Sequence, residues 1–192
     1  QVTADPEALR GASELVILAV PSAHLRTTVE RVAAAVPASA DLLSVVKGLE
    51  HETLLRMTQV IADASGAAGP PIDAERIAAL SGPNLAQEVA RGLPASAVVA
   101  SADAALGDRI VARLSRREFR LYTNPDVLGV ELCGALKNIV AIAAGAADGL
   151  GFGDNGKAGL ITRGLAEMTR LGIAAGANPL TFAGLAGVGD VV

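Results

Sequence analysis

A chain of 192 residues that is 51% hydrophobic yet only 2% aromatic, with a net charge of −4, is composed for a folded core of small side chains rather than for disorder. The acidic balance and scattered arginines exclude a nucleic-acid surface as its main business, and the one basic cluster, "RLSRREFR" (113–120), reads as a solvated helix end. One cysteine (Cys133) and two isolated histidines (His24, His51) exclude an internal disulfide and leave no metal site.

Mean hydropathy is positive, but no run of about 18 apolar residues lacks a charge or a Gly/Pro break, so no membrane insertion is expected. Nothing near Gln1 resembles a signal peptide, which points to the cytoplasm.

Taken in chain order, short apolar runs alternate with helix-period stretches, as in βαβ units. "ELVILAVP" (14–21) predicts a strand buried on both faces, and "HLRTTVERVAAAV" (24–36) a helix. "DLLSVV" (41–46) is a second strand, "TLLRMTQVIADAS" (53–65) a helix, "GAAGPPID" (66–73) a loop and "RIAALS" (76–81) a third strand. "NLAQEVARG" (84–92) gives a short helix, "ASAVVAS" (95–101) a strand, "DAALGDRIVARLS" (103–115) a helix and "FRLYT" (119–123) a last strand. The expected fold is α/β, a partial Rossmann-type doubly wound parallel sheet over residues 1–123.

From 124 to 192 the sequence is Gly- and Ala-rich helix without a strand, read as a second, all-helical domain. Asn124 is the predicted N-cap of its first helix and Pro125 the first helical residue. A further helix runs through 157–172, with Asp154 or Asn155 as its cap and Gly172 as its stop.

In open α/β sheets, ligands bind at the carboxyl ends of strands. After the first strand, Pro21 ends the run, and Ser22 and His24 face that rim. After the second comes Lys47, beside the permissive Gly48. After the third, "SGPNLAQEV" leads into a helix N-terminus, with Asn84 and Gln87 at capping-box spacing, which suits either an anion or a plain cap.

Only three of the sixteen basic residues are lysine: Lys47, Lys137 and Lys157. A chain that uses arginine for ordinary surface charge keeps lysine where a compact cation able to lose its proton is needed. On the helix entered near Pro125, Val130, Gly134, Lys137 and Ala141 share one face, so Lys137 lies on the buried face or its rim. An ammonium there must be paired, deprotonated or in a wet cleft, each suited to acid/base work. Lys157, in the first turn of the later helix, and Arg163 are expected to line the same cleft. Asp190, the last acid, follows the Gly-rich turn "GVGD" and is a candidate either to pair with Lys137 or to bind a substrate hydroxyl.

These segments, "SVVKGLE", "LSGPNLAQEVARGLPASAVVAS", "LYTNPDVLGVELCGALKNIVAIAAGAADGLGFGDNGKAGLITRGLAEM" and "GVGD", together resemble the bacterial type of NAD(P)-dependent sn-glycerol-3-phosphate dehydrogenases. The resemblance implies a Rossmann-type domain followed by a helical domain like that of 6-phosphogluconate dehydrogenase. It also implies interconversion of dihydroxyacetone phosphate and sn-glycerol 3-phosphate with NAD or NADP, feeding phospholipid synthesis. By the same resemblance Lys137 is the catalytic lysine, Asn138 its orienting neighbour and Asp190 the acid holding the lysine and the substrate. Lys47 would touch cofactor and substrate, Gly82 and Asn84 the substrate, and Pro21 and Ala86 the cofactor.

The Gly/Ala-rich helices suit a homodimer. Other readings are a hydroxy-acid dehydrogenase of the same architecture and a non-catalytic nucleotide-binding module. The span lacks a G-x-G-x-x-G turn and a Ser-Arg-Asn type segment beyond Asp190, so it is expected to be a middle portion with weak cofactor binding and little turnover of its own. NAD and NADP are not distinguished, because the residue that reads the ribose lies near that turn.

Overall fold

The computed structural model describes residues 2–11, 14–67 and 69–191. Five strands, β1 (Leu15–Leu18), β2 (Asp41–Ser44), β3 (Ile77–Ser81), β4 (Ala95–Ala100) and β5 (Phe119–Asn124), form one sheet in the order β1-β2-β3-β4-β5. The expected parallel Rossmann-type sheet is present: β1/β2, β2/β3 and β4/β5 are parallel pairs. One step differs, because β3 and β4 run antiparallel, with Ser81 opposite Val98.

That reversal is made by the Ser-Gly-Pro turn. Gly82 has φ +131°, and a Cβ there would lie 3.0 Å from Ala97 Cα on the neighbouring strand. A side chain would oppose both the backbone angle and the approach of the strands. As a result the carboxyl end of β3 and the amino ends of β4 and β5 meet at one rim.

Side-chain alternation assigns the helices to faces. Leu42 packs with α1 (Leu25–Val32) and α2 (Met57–Ser65) through Leu25, Val29, Val60 and Ile61, while its neighbour Leu43 points to the other face. There α4 (Ala104–Leu114) covers Ala78, Ala97, Val99 and Leu121 with Leu106 and Ile110. All five residues of β3 are buried, as in a strand covered on both sides. Asp103 caps α4 through Ala105 N and Leu106 N, and Arg109 and Arg113 of that helix fix Asp41 at the start of β2.

Beyond β5 the described residues form only helices: α5 (Val127–Gly149), α6 (Gly153–Ala174), α7 (Pro179–Phe182) and α8 (Val188–Val191). Helix α5 lies on the α2 face of the sheet and packs Val130 and Cys133 against Val98 and Ala100. It starts later than the sequence suggested. Asn124 is held in β5 by its pairing with Ala100, and the N-cap is Asp126, whose Oδ1 accepts from Gly129 N at 2.9 Å. The second oxygen of Asp126 accepts from Thr181 Oγ1 at 2.6 Å and Asn178 N at 3.0 Å, so one carboxylate caps α5 and anchors α7.

Helix α6 likewise starts at Gly153, ahead of the expected caps Asp154 and Asn155. A Cβ at Gly172 would fall 2.1 Å from Phe182 Cζ, so the ring occupies the space of the missing side chain. By length and hydropathy alone α5 could cross a membrane, but its first half is buried on the sheet and includes the ion-paired Glu131.

Candidate active site

Lys47 follows β2 by three residues, and its stem runs along the rim toward α5. Its Nζ donates to the carbonyl of Gly82 at 3.2 Å and to Asp190 Oδ2 at 2.5 Å. From α5, Lys137 Nζ donates to the other oxygen of Asp190 at 2.5 Å. One carboxylate, only 6% exposed, therefore holds two ammonium groups that keep 23% and 18% of their side-chain surface. Two cations on one anion leave a net charge of +1, suited to a substrate anion or to an oxygen gaining negative charge.

Burial pushes the pKa of Lys47 below its ordinary value. The hydrogen bond and charge of Asp190 oppose that shift, and the nearby charge of Lys137 adds to it.

The three groups open into a cavity of about 800 Å³ whose wall also includes Asn84, Ala86 and Gly189. Of the residues expected at the site, Lys47, Asn84, Ala86, Lys137 and Asp190 line this space and Gly82 contributes its carbonyl. Pro21 sits at the carboxyl end of β1, exposed and outside the lining. Asn138 is exposed and also outside it, since one residue along a helix turns a side chain about 100°.

The third lysine does not converge. Lys157 pairs with Asp148 at 2.9 Å, because the turn between α5 and α6 brings the end of one helix beside the start of the other. Arg163 lines a separate apolar hollow of about 530 Å³ between α5 and α6. The capping box expected from Asn84 and Gln87 is also not formed: α3 (Ala86–Ala90) begins after Leu85 without a side-chain cap.

Two features escaped the sequence reading. Arg117 and Arg120, assigned there to a solvated helix end, border the cavity because the bend before β5 and the start of that strand lie at the rim. Glu131, with a 4% exposed side chain, accepts from Thr58 N at 2.8 Å, from Thr58 Oγ1 at 2.7 Å and from Arg56. It thus caps the N-terminus of α2 from another helix and fixes α5, with Lys137 on it, against the sheet. Its partner Thr58 lies 73 residues away in sequence, so no local pattern marks it. Nearby, burial pushes the Cys133 thiol up to about 12, which leaves it protonated and inert.

Family models for the N-terminus and the C-terminus of NAD-dependent glycerol-3-phosphate dehydrogenase match residues 1–107 and 126–192. The chain belongs to the NAD-dependent glycerol-3-phosphate dehydrogenase family. It is 49% identical over 192 residues to the glycerol-3-phosphate dehydrogenase (NAD(P)+) of Pelotomaculum thermopropionicum, covering all of this chain and 54% of that one. It is 51% identical over 195 residues to the enzyme of the same name from Nocardia farcinica, covering 99% and 56%.

The crystal structure of the family member from Coxiella burnetii superposes with a TM-score of 0.84 at 39% identity, over 97% of this chain and 55% of that one. The structure of the Dunaliella salina enzyme gives 0.86 at 33% identity, over 98% and 32%. The chain thus spans about half the length of the curated dehydrogenases it matches.

Proposed function

We propose that the complete protein interconverts dihydroxyacetone phosphate and sn-glycerol 3-phosphate with NAD or NADP, in the cytoplasm, supplying glycerol phosphate for phospholipid synthesis. The observation that carries this reading is the Lys47–Asp190–Lys137 cluster, in which two amines and one buried acid converge at the rim of a Rossmann-type sheet. Residues 1–123 act as the partial cofactor-binding domain and 124–192 as the partial substrate domain, and a homodimer through the Gly/Ala-rich helices belongs to the same reading.

The rim fits the nicotinamide end of such a cofactor. It offers the Lys47 ammonium, the wall at Ala86 and the exposed chain at Pro21. When bound, the cofactor supplies or accepts a hydride at the central carbon of the substrate.

The remaining chemistry belongs to this chain. Lys137 gives a proton to the oxygen on the central carbon during reduction and takes it back during oxidation. Lys47 draws the same oxygen toward Lys137, and its charge offsets that of the phosphate. Asp190 holds both amines in place and favours the protonated form of Lys47, while Gly82 and Asn84 border the substrate. No nucleic acid or membrane insertion enters this scheme.

The test is Lys137→Ala in the full-length protein, assayed with dihydroxyacetone phosphate and separately with 6-phosphogluconate. Turnover of the triose phosphate should fall by on the order of 10²-fold or more with cofactor affinity kept. A variant retaining over about a tenth of the parental rate sinks the acid/base role, and a parent active only on the hydroxy acid sinks the substrate.

A further inference from the structure

On α5, Gly134 lies one turn before Lys137, and the stem of Lys47 passes directly over it. A Cβ at Gly134 would stand 2.9 Å from Ser81 Oγ, 3.4 Å from Lys47 Cγ and 3.6 Å from Lys47 Cδ. The end of β3, the helix and the lysine stem meet there, so that a methyl group would touch the lysine stem and could fit only by displacing the Ser81 hydroxyl. Glycine in a helix interior costs stability relative to alanine, so this position gives up helix propensity for room. Ser81 Oγ is buried without a hydrogen-bond partner among the described residues, so packing alone holds it against the bare turn.

We propose that Gly134 is a positioning residue: the bare turn of α5 is the channel through which Lys47 crosses from the sheet to Asp190. The lysine starts on the β2 side, whereas Lys137 and Asp190 belong to α5 and α8, so the cluster closes only while α5 sits close against β3. A methyl group at 134 meets the Ser81 hydroxyl inside contact distance and must push it aside or ease this one turn of α5 slightly away from β3. Two further carbons occupy the path of the lysine stem itself. The catalytic consequence rests on the dehydrogenase reading; the geometric one does not.

The experiment uses the full-length enzyme with Gly134→Ala, Gly134→Val and the double variant Gly134→Ala/Ser81→Ala. The expected fall in kcat/KM is about tenfold for alanine and about 10²-fold for valine, the scale of a 1 Å misplacement of a reacting group. The alanine variant should keep the parental urea midpoint, and removing the Ser81 hydroxyl should restore most of its loss. A crystal structure of the valine variant should show Lys47 Nζ more than 4 Å from Asp190, the usual limit of an ion pair.

Parental kcat/KM in both single variants overturns the proposal, as does a Lys47–Asp190 pair intact in the valine variant. Lost activity in the alanine variant that follows a lowered urea midpoint and is not rescued at Ser81 overturns it too. Should the valine variant not fold, the alanine pair and the structure of Gly134→Ala decide. Should the parent lack dehydrogenase activity, the proposed function fails and the Lys47–Asp190 separation still decides this inference.

Discussion

Helix α5 carries two charged clusters that use the same chemistry to opposite ends. At Glu131 one carboxylate receives Arg56 and both donors of Thr58 and is sealed from water. Six residues along the same helix, Lys137 shares Asp190 with Lys47 at the wall of a cavity. In the first cluster both carboxylate oxygens are met by protein donors and the side chain is almost wholly buried, so no face is open to a ligand. In the second the cations outnumber the anion and one side is open. The difference teaches that a buried carboxylate is structural or chemical according to what its partners leave unsatisfied, not according to its burial.

The sharpest way to break the comparison is to empty the sealed cluster. Glu131→Ala leaves the Arg56 guanidinium and the N–H and hydroxyl of Thr58 without their acceptor, and should cost about 3–5 kcal/mol in urea unfolding. A loss below about 1 kcal/mol would mean that this cluster is as dispensable as a surface pair.

Emptying the open cluster should read out in rate. Lys137→Ala should raise the barrier to turnover by about 2.7 kcal/mol or more, the equivalent of 10²-fold, with stability nearly unchanged. Equal losses of stability from the two variants would erase the distinction.

Asp190→Asn sharpens the comparison through pH. Asp190 raises the pKa of Lys47 against the lowering by burial, so its removal lets that pKa fall further. A lysine is cationic below its pKa, so affinity for the phosphorylated substrate should be lost at lower pH than in the parent, measured as KM against pH. The stability linkage has the matching sign. With a folded pKa below the ordinary 10.5, the unfolded chain holds more protons between the two values. Stability therefore rises with pH across that window, and Lys47→Met should remove the rise. The smallest effect is expected at Lys157, whose pair with Asp148 is largely in water: Lys157→Ala should leave the urea midpoint essentially unchanged.

Much of the fold and of the open cluster was legible in the sequence. The first four strands announce themselves as short, largely apolar runs between turn residues and β5 as an alternating one, and Lys137 stands out because charge is rare among the Gly and Ala around it. Asp190 could be named as its partner because few acids follow a Gly-rich turn. What escaped depends on distant chain. The antiparallel step from β3 to β4 is decided by how Gly82 lets the strand approach Ala97, not by the strand's own pattern. The start of α5 was misread because Asn124 pairs with Ala100 before it could cap. Lys157 seemed to need an anion and found one on the neighbouring helix. Glu131 carries no mark in the sequence, since none of its partners is a sequence neighbour.

Asp190 stands 143 residues from Lys47 and 53 from Lys137 along the chain. Closing loops of that span is slow, and the entropy must be spent before the contact returns anything. Until the acid arrives, the two amines repel each other. The crevice is thus the last part of this span to mature. A ribosome delivers both amines well before the acid that reconciles them.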